Sequence, residues 1–189
     1  MHSAIYRAAA AATLMAALAA GGTALGQTPA APAEGKAMAA APAKPAGPSD
    51  KAQILAMLKA YNKAFQAKDA DAVMTAYAKK GLFVFDVSPP REHVGWDDYH
   101  KDWQELFSGS PGPVTNTISE QTLTVVGQVA WGHNVQDAHF TAKDGTSSEL
   151  VVRVTDVFRK IGGQWKIVEE HVSVPVDVAS GKADLLSKP

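Results

Sequence analysis

Apolar positions beyond Asp50 recur first at helical and then at strand spacing, and that change of period predicts the order of elements. Ile54, Leu58, Tyr61 and Phe65 fall on one helical face, behind an Asp50 that can cap the helix with Gln53 reaching back as in a capping box. This helix is expected to stop near Lys68. Asp69 then caps a shorter one through Val73, Met74 and Tyr77, which Gly81 ends in a left-handed conformation. Leu82 to Val87 (LFVFDV) is rich in strand formers and is halted by Ser88, Pro89 and Pro90. Trp96, Tyr99, Trp103 and Phe107, spaced by threes and fours, predict a third helix closed by Pro111, Gly112 and Pro113. Strands are expected over Asn116–Val126, Val129–Thr141, Ser148–Lys160 and Gln164–Val176, with turns at Gly127–Gln128, Asp144–Gly145 and Gly162–Gly163. Helix, helix, strand, helix and four antiparallel strands is an α+β pattern in which a curved sheet wraps around helices and leaves a cavity at its open end.

Composition divides the 189 residues into different materials. Residues 1–26 carry Arg7, an apolar run from Ala8 to Ala20 too short for the roughly 20 residues of a membrane span, and small residues at Ala24 and Gly26 before Gln27. That is the pattern of a secretory signal peptide, so a periplasmic or secreted location is expected, with no integral membrane segment after signal removal. Residues 27–49 are almost entirely Ala and Pro and are expected to be a disordered linker. The folded domain is expected over 50–178 and a flexible tail over 179–189. The balance of 18 Lys+Arg against 19 Asp+Glu provides no phosphate-neutralising field, so no nucleic-acid partner is expected. The absence of cysteine excludes disulfides, zinc-thiolate sites and thiol nucleophiles.

The stretch from Tyr61 to Asp86 (YNKAFQAKDADAVMTAYAKKGLFVFD) and the late segment RVTDVFRKIGGQWKIVEEHVSVPVD resemble the SnoaL-like branch of the nuclear transport factor two-like superfamily. Ketosteroid isomerases and the association domain of calcium/calmodulin-dependent kinase belong to the same superfamily. The resemblance implies a cone-shaped fold, with three helices packed in a strongly curved and mainly antiparallel sheet. It also implies a homodimer and one deep pocket. This fold hosts enzymes and non-enzymes alike. By resemblance to ketosteroid isomerase, Tyr61 matches the oxyanion tyrosine and Asp156, in the run Asp156, Val157, Phe158, Arg159, matches the oxyanion aspartate. The position of that enzyme's base falls on Phe85. Asp86, one residue on, belongs to the opposite strand face unless a bulge at Ser88 to Pro90 re-aims it.

Strand register offers a separate handle. If Asp144 and Gly145 form a two-residue turn, Lys143 pairs with Thr146, and counting back sets His133 opposite Asp156, on one face. In the next hairpin a three-residue loop at Ile161 to Gly163 puts Glu170 on that face, whereas a two-residue Gly-Gly turn puts Glu169 and His171 there. The pocket-facing groups of the kinase association domain favour Glu170, with His171 in reserve. The site expected is therefore a row of His133, Asp156 and Glu170 facing Tyr61, with Trp131, Tyr99 and Trp103 as aromatic walls. Two carboxyls in a poorly solvated site raise one another's pKa, so that one stays protonated as a donor or general acid. The alternative is a polar cluster that only satisfies itself. A metal on His133 and two carboxylates is chemically allowed, but the spacing is nonspecific, and no metal or cofactor is assigned. His93, His100 and His139 show no ligand spacing and read as ordinary histidines.

Two functions remain open. One is an exported domain whose pocket holds a small organic molecule without transforming it. The other is an isomerase, cyclase or hydrolase that uses Tyr61 and Asp156 as donors. The missing Asp at Phe85 weighs against the isomerase and favours the binding domain.

Overall fold

The structure, a computed structural model, describes residues 48–142 and 144–187. The leader expected over 1–26 and nearly all of the linker expected over 27–49 lie outside the described residues, as does Lys143. Among the described residues no helix is long and apolar enough to cross a membrane.

Helix α1 (Asp50–Gln66) buries Ile54, Leu58, Tyr61, Ala64 and Phe65, the stripe expected from their spacing. Its cap is Ser49, whose hydroxyl accepts from Ala52 N at 3.3 Å, and Gln53 donates to the Pro48 carbonyl instead of closing a capping box. Asp50 is thereby released to accept from Lys160 and from the Trp165 indole at 3.0 Å, which hold its carboxyl below the usual range. Helix α2 (Ala70–Met74) is capped by Asp69 as expected but ends before Tyr77, which forms a parallel bridge to Ile167. Helix α3 (Trp96–Gly109) buries Tyr99, Trp103 and Phe107. Phe65 meets Trp103 edge-on at 5.5 Å and Phe107 at 5.9 Å, joining α1 to α3. Each such pair contributes about 0.5–1.5 kcal/mol beyond its burial.

The strands are β1 (Phe83–Phe85), β2 (His93–Val94), β3 (Val114–Ser119), β4 (Thr124–Val126), β5 (Val129–Thr141), β6 (Ser147–Ile161) and β7 (Gln164–Ser173). They form one sheet in the order β2-β1-β7-β6-β5-β3, with β4 also on β5. The pairings are antiparallel except β1 with β7. The single strand expected over Asn116–Val126 is two, because Glu120 turns to φ 50° and Thr122 N bonds the His133 carbonyl at 2.9 Å. That crossing depends on Gly132: a Cβ there would stand 2.3 Å from the Thr122 carbonyl oxygen.

Two registers decide what faces the interior. Thr141 pairs with Ser147 and Ala142 N bonds Thr146 O at 2.9 Å, so the β5–β6 loop is three residues long rather than two. Gly145, at φ 83°, occupies the left-handed position that closes such a loop. The extra residue sets Gly132, not His133, opposite Asp156. In the β6–β7 hairpin, Ile161 pairs with Gln164 across the two-residue Gly162–Gly163 turn, the register expected to bring Glu169 and His171 inward. A bulge then intervenes: Phe158 pairs with Ile167 but Val157 with Glu169, leaving Val168 as the extra residue. The bulge turns Glu170 to the face of Asp156, its direct partner. Beyond β7 the described chain folds back on the sheet. Strands β8 (Val176–Asp177) and β9 (Lys182–Ala183) pair, and Val151 N bonds the Leu185 carbonyl at 2.7 Å.

Candidate functional site

A cavity of about 280 Å³ opens between α1, α3 and the inner face of the sheet. Most of its wall is apolar: Phe65, Leu106, Ala138, Phe140, Leu150, Val152, Val154 and Val172. Tyr61, Asp86, Tyr99, Asp102 and Glu170 give it a polar end, and Gln136 lines it separately on β5.

Glu170 is the centre of that polar end. It is buried on β7 and accepts from the Tyr77 hydroxyl at 3.0 Å and the Tyr99 hydroxyl at 3.0 Å. Tyr61 joins through a hydrogen bond with Tyr77, its ring edge-on to Tyr77 at 6.1 Å. Burial, and then the neighbouring Asp156 carboxyl, push Glu170 well above the usual carboxylate range, which favours its protonated form. Burial likewise lifts Asp156, to about 6. The two are hydrogen-bonded, and burial together with their proximity favours a single proton held between them over two negative charges. All three phenols are pushed well above their usual range by burial and then by Glu170, which keeps them as donors.

Asp156 itself is not in the cavity wall: it is buried beside Glu170 on the neighbouring strand, with Oδ1 unpartnered. Tyr61, Tyr99 and Trp103 are in the wall. The Trp103 indole N–H is buried without an acceptor, a second donor left open in the lining. His133 and Trp131 are corrected by the three-residue loop. His133 is on the outer face and bonds Thr122 Oγ1 at 3.0 Å, while Trp131 stands apart from the cavity at 47% exposure. His171 and Phe85 pair on the outer face too, their rings 5.5 Å apart.

The same pairing reverses the expectation for Asp86. Val84, buried, lies opposite Glu170 on the inner face, so Asp86, two residues on, shares that face without needing a bulge. Its Oδ2 accepts from the Tyr99 hydroxyl at 3.2 Å, and its Oδ1 accepts from Val87 N and Ser88 N, which orient it at the mouth. Asp102, one turn along α3 from Asp98, also lines the mouth, and burial lifts its carboxyl. His93, on the short strand β2 that its sequence does not announce, is buried behind them against the Tyr99 ring. Tyr77 was legible only as a helix-face residue. Its role as a Glu170 partner depends on the bridge to Ile167 that follows α2.

Residues 54–177 match the family model of the SnoaL-like domain. No curated protein matches the sequence. Among solved structures, a nuclear transport factor two-like protein of unknown function from Pseudomonas putida is 26% identical with a TM-score of 0.67, over 76% of this chain and all of that one. A Xanthomonas campestris protein provisionally named a calcium/calmodulin dependent protein kinase II association domain is 20% identical with a TM-score of 0.60, over 74% and 95%. A nuclear transport factor two-like superfamily protein from Salmonella enterica is 17% identical with a TM-score of 0.60, over 68% and 93%.

Proposed function

The chain belongs to the SnoaL-like domain family, and on that premise we propose that it is an exported pocket domain that binds a compact, largely apolar organic molecule bearing an oxygen acceptor. The observation that carries this reading is Glu170, a buried carboxyl bonded by the Tyr77 and Tyr99 hydroxyls at the polar end of a largely apolar cavity, its pKa pushed up by that burial. Few convergent polar groups in an apolar enclosure fix a ligand's orientation, while the apolar wall supplies most of the affinity. The unpaired Trp103 N–H adds a donor that gains most when an acceptor enters. Export and homodimer formation belong to the same proposal and are supported by the leader pattern and by the resemblance to a commonly dimeric fold.

Binding is tested by titrating the tryptophan fluorescence, with W103F as the control for the pocket's contribution, against a panel of phenols, cyclic ketones and their hydrocarbon counterparts. Saturable binding of the oxygenated members, weakened in E170Q, supports the reading. Equal binding of the hydrocarbons, or none at all, overturns it.

A second reading is favoured by one observation, the Tyr99 hydroxyl placed between Glu170 Oε1 and Asp86 Oδ2 at 3.0 and 3.2 Å. A carboxylic acid and a second carboxyl on either side of a bound molecule's polar end is the equipment of an acid–base enzyme, with Glu170 as donor and Asp86 as base. In this reading Glu170 takes the donor role expected of Asp156, which does not line the cavity. Turnover that is lost in D86N while ligand affinity persists supports it.

A further inference from the structure

His93 presents a problem that its surroundings do not solve. Its side chain is 3% exposed, Nδ1 is 3.2 Å from Asp98 Oδ2, and Nε2 has no hydrogen-bond partner. What Nε2 does face is Asp102 Oδ1 at 3.9 Å, and a carboxylate oxygen of Asp86 completes a cluster whose three ligand atoms lie within 4.8 Å of one another. In the tautomer that carries the ring hydrogen on Nδ1 and gives it to Asp98, Nε2 presents a lone pair toward the two carboxylates, and nothing else in the structure bonds it.

We infer that Asp86, His93 and Asp102 form a binding site for one divalent first-row transition cation at the mouth of the pocket. Two donors each about 2.1 Å from one metal can stand at most about 4.2 Å apart, so the His93–Asp102 separation already qualifies and the widest one closes with a side-chain shift of less than about 1 Å. One imidazole nitrogen with two carboxylates selects zinc, manganese, iron or cobalt over calcium and magnesium, which take oxygen. Asp98 is the outer partner such a site needs, since a metal-bound histidine gives its other N–H to a carboxylate that fixes its tautomer. Asp86 and Asp102 both line the cavity, so the remaining coordination positions open toward a bound molecule. The cation would supply Lewis-acid polarisation of that molecule's oxygen. In that state Asp86 is a ligand and not a base. Occupancy therefore decides against the second reading of function, while leaving the binding reading untouched.

The test uses the full chain, stripped with chelator and titrated with Co²⁺, followed by visible d–d absorption and equilibrium dialysis. One Co²⁺ per chain with a visible band, displaced by Zn²⁺, is the expected result. D102N and H93N should each abolish the band, and D98N should weaken affinity by about 10–100-fold. A second carboxylate–histidine cluster, Asp137, His139 and Glu149, sits elsewhere on the sheet, so H139A is the control and leaves the band unchanged. If H93N fails to fold, D102N, at the rim, decides alone. No saturable Co²⁺ binding overturns the site, as does binding that survives D102N or disappears in H139A. Loss of ligand binding by the pocket would leave these readouts unaffected.

Discussion

Asp156 on β6 and Glu170 on β7 are direct cross-strand partners, both buried, and burial raises the pKa of each so that sharing one proton is favoured. A carboxyl whose folded pKa is raised stabilises the fold below its unfolded pKa, and that contribution is lost as pH rises through the folded value. For Asp156 the loss runs from the ordinary value of 3.8 to about 6, and for Glu170 it begins at 4.5 and extends higher. Wild-type stability measured by urea unfolding should therefore fall relative to E170Q as pH rises through this window. At alkaline pH, E170Q should be the more stable by about 1–4 kcal/mol, because a neutral amide replaces a buried charge. A wild type that gains on E170Q with rising pH would contradict the shared proton.

Gly132 is required by the close approach of the Thr122 carbonyl rather than by its own backbone angle. G132A should cost about 1–3 kcal/mol of unfolding free energy, the range for overpacking. The same substitution at Gly127, where a Cβ meets open space but φ is 58°, probes only the left-handed backbone and should cost less.

Lys68 closes the end of α3 onto the end of α1. Its ammonium donates to the carbonyls of Ser110, Pro111 and Gly112 at 3.2, 2.8 and 2.9 Å. K68A should destabilise by about 1–2 kcal/mol through the loss of these charged hydrogen bonds, with faster amide exchange in the loop before β3. An unchanged exchange rate there would show that the contacts do not order the loop.

His133 and Trp131 stand on the outer face, so H133A and W131A should leave pocket-ligand affinity unchanged, whereas Y99F should weaken it. Fluorescence titration of the three variants with one phenol separates the two faces of the sheet. A loss in H133A would mean that the register of β5 on β6 is off by one.

The helices were legible because their stripes are long: Ile54, Leu58, Tyr61 and Phe65 admit one face only. The site was legible in part, and the errors at His133 and Trp131 come from a single residue. Asp-Gly reads as a two-residue turn, but here it ends a three-residue loop, and one extra residue exchanges His133 for Gly132 beside Asp156. Glu170 reaches the inner face by a different route from the one expected, through the Gly-Gly turn followed by the bulge at Val168. Nothing in the composition of Lys166 to Glu170 marks a bulge, since the extra residue is held by the pairing of β6 and not by a special backbone requirement of its own. Asp86 was misplaced because the face of a three-residue strand is set by its neighbour, here the parallel pairing of Val84 with Glu170. His93, Asp98 and Asp102 come together only when β2 folds back on β1 beside α3, a contact between separate elements that no spacing encodes.

The central claim is that Glu170 is an uncharged acid at the polar end of the pocket. Infrared difference spectroscopy between wild type and E170Q near neutral pH reads this directly. A carbonyl-stretch band of a protonated carboxylic acid, present in wild type, absent in E170Q and shifted when a phenol fills the cavity, is the result predicted. A spectrum that shows only ionised carboxylate at this position, with or without ligand, would contradict it.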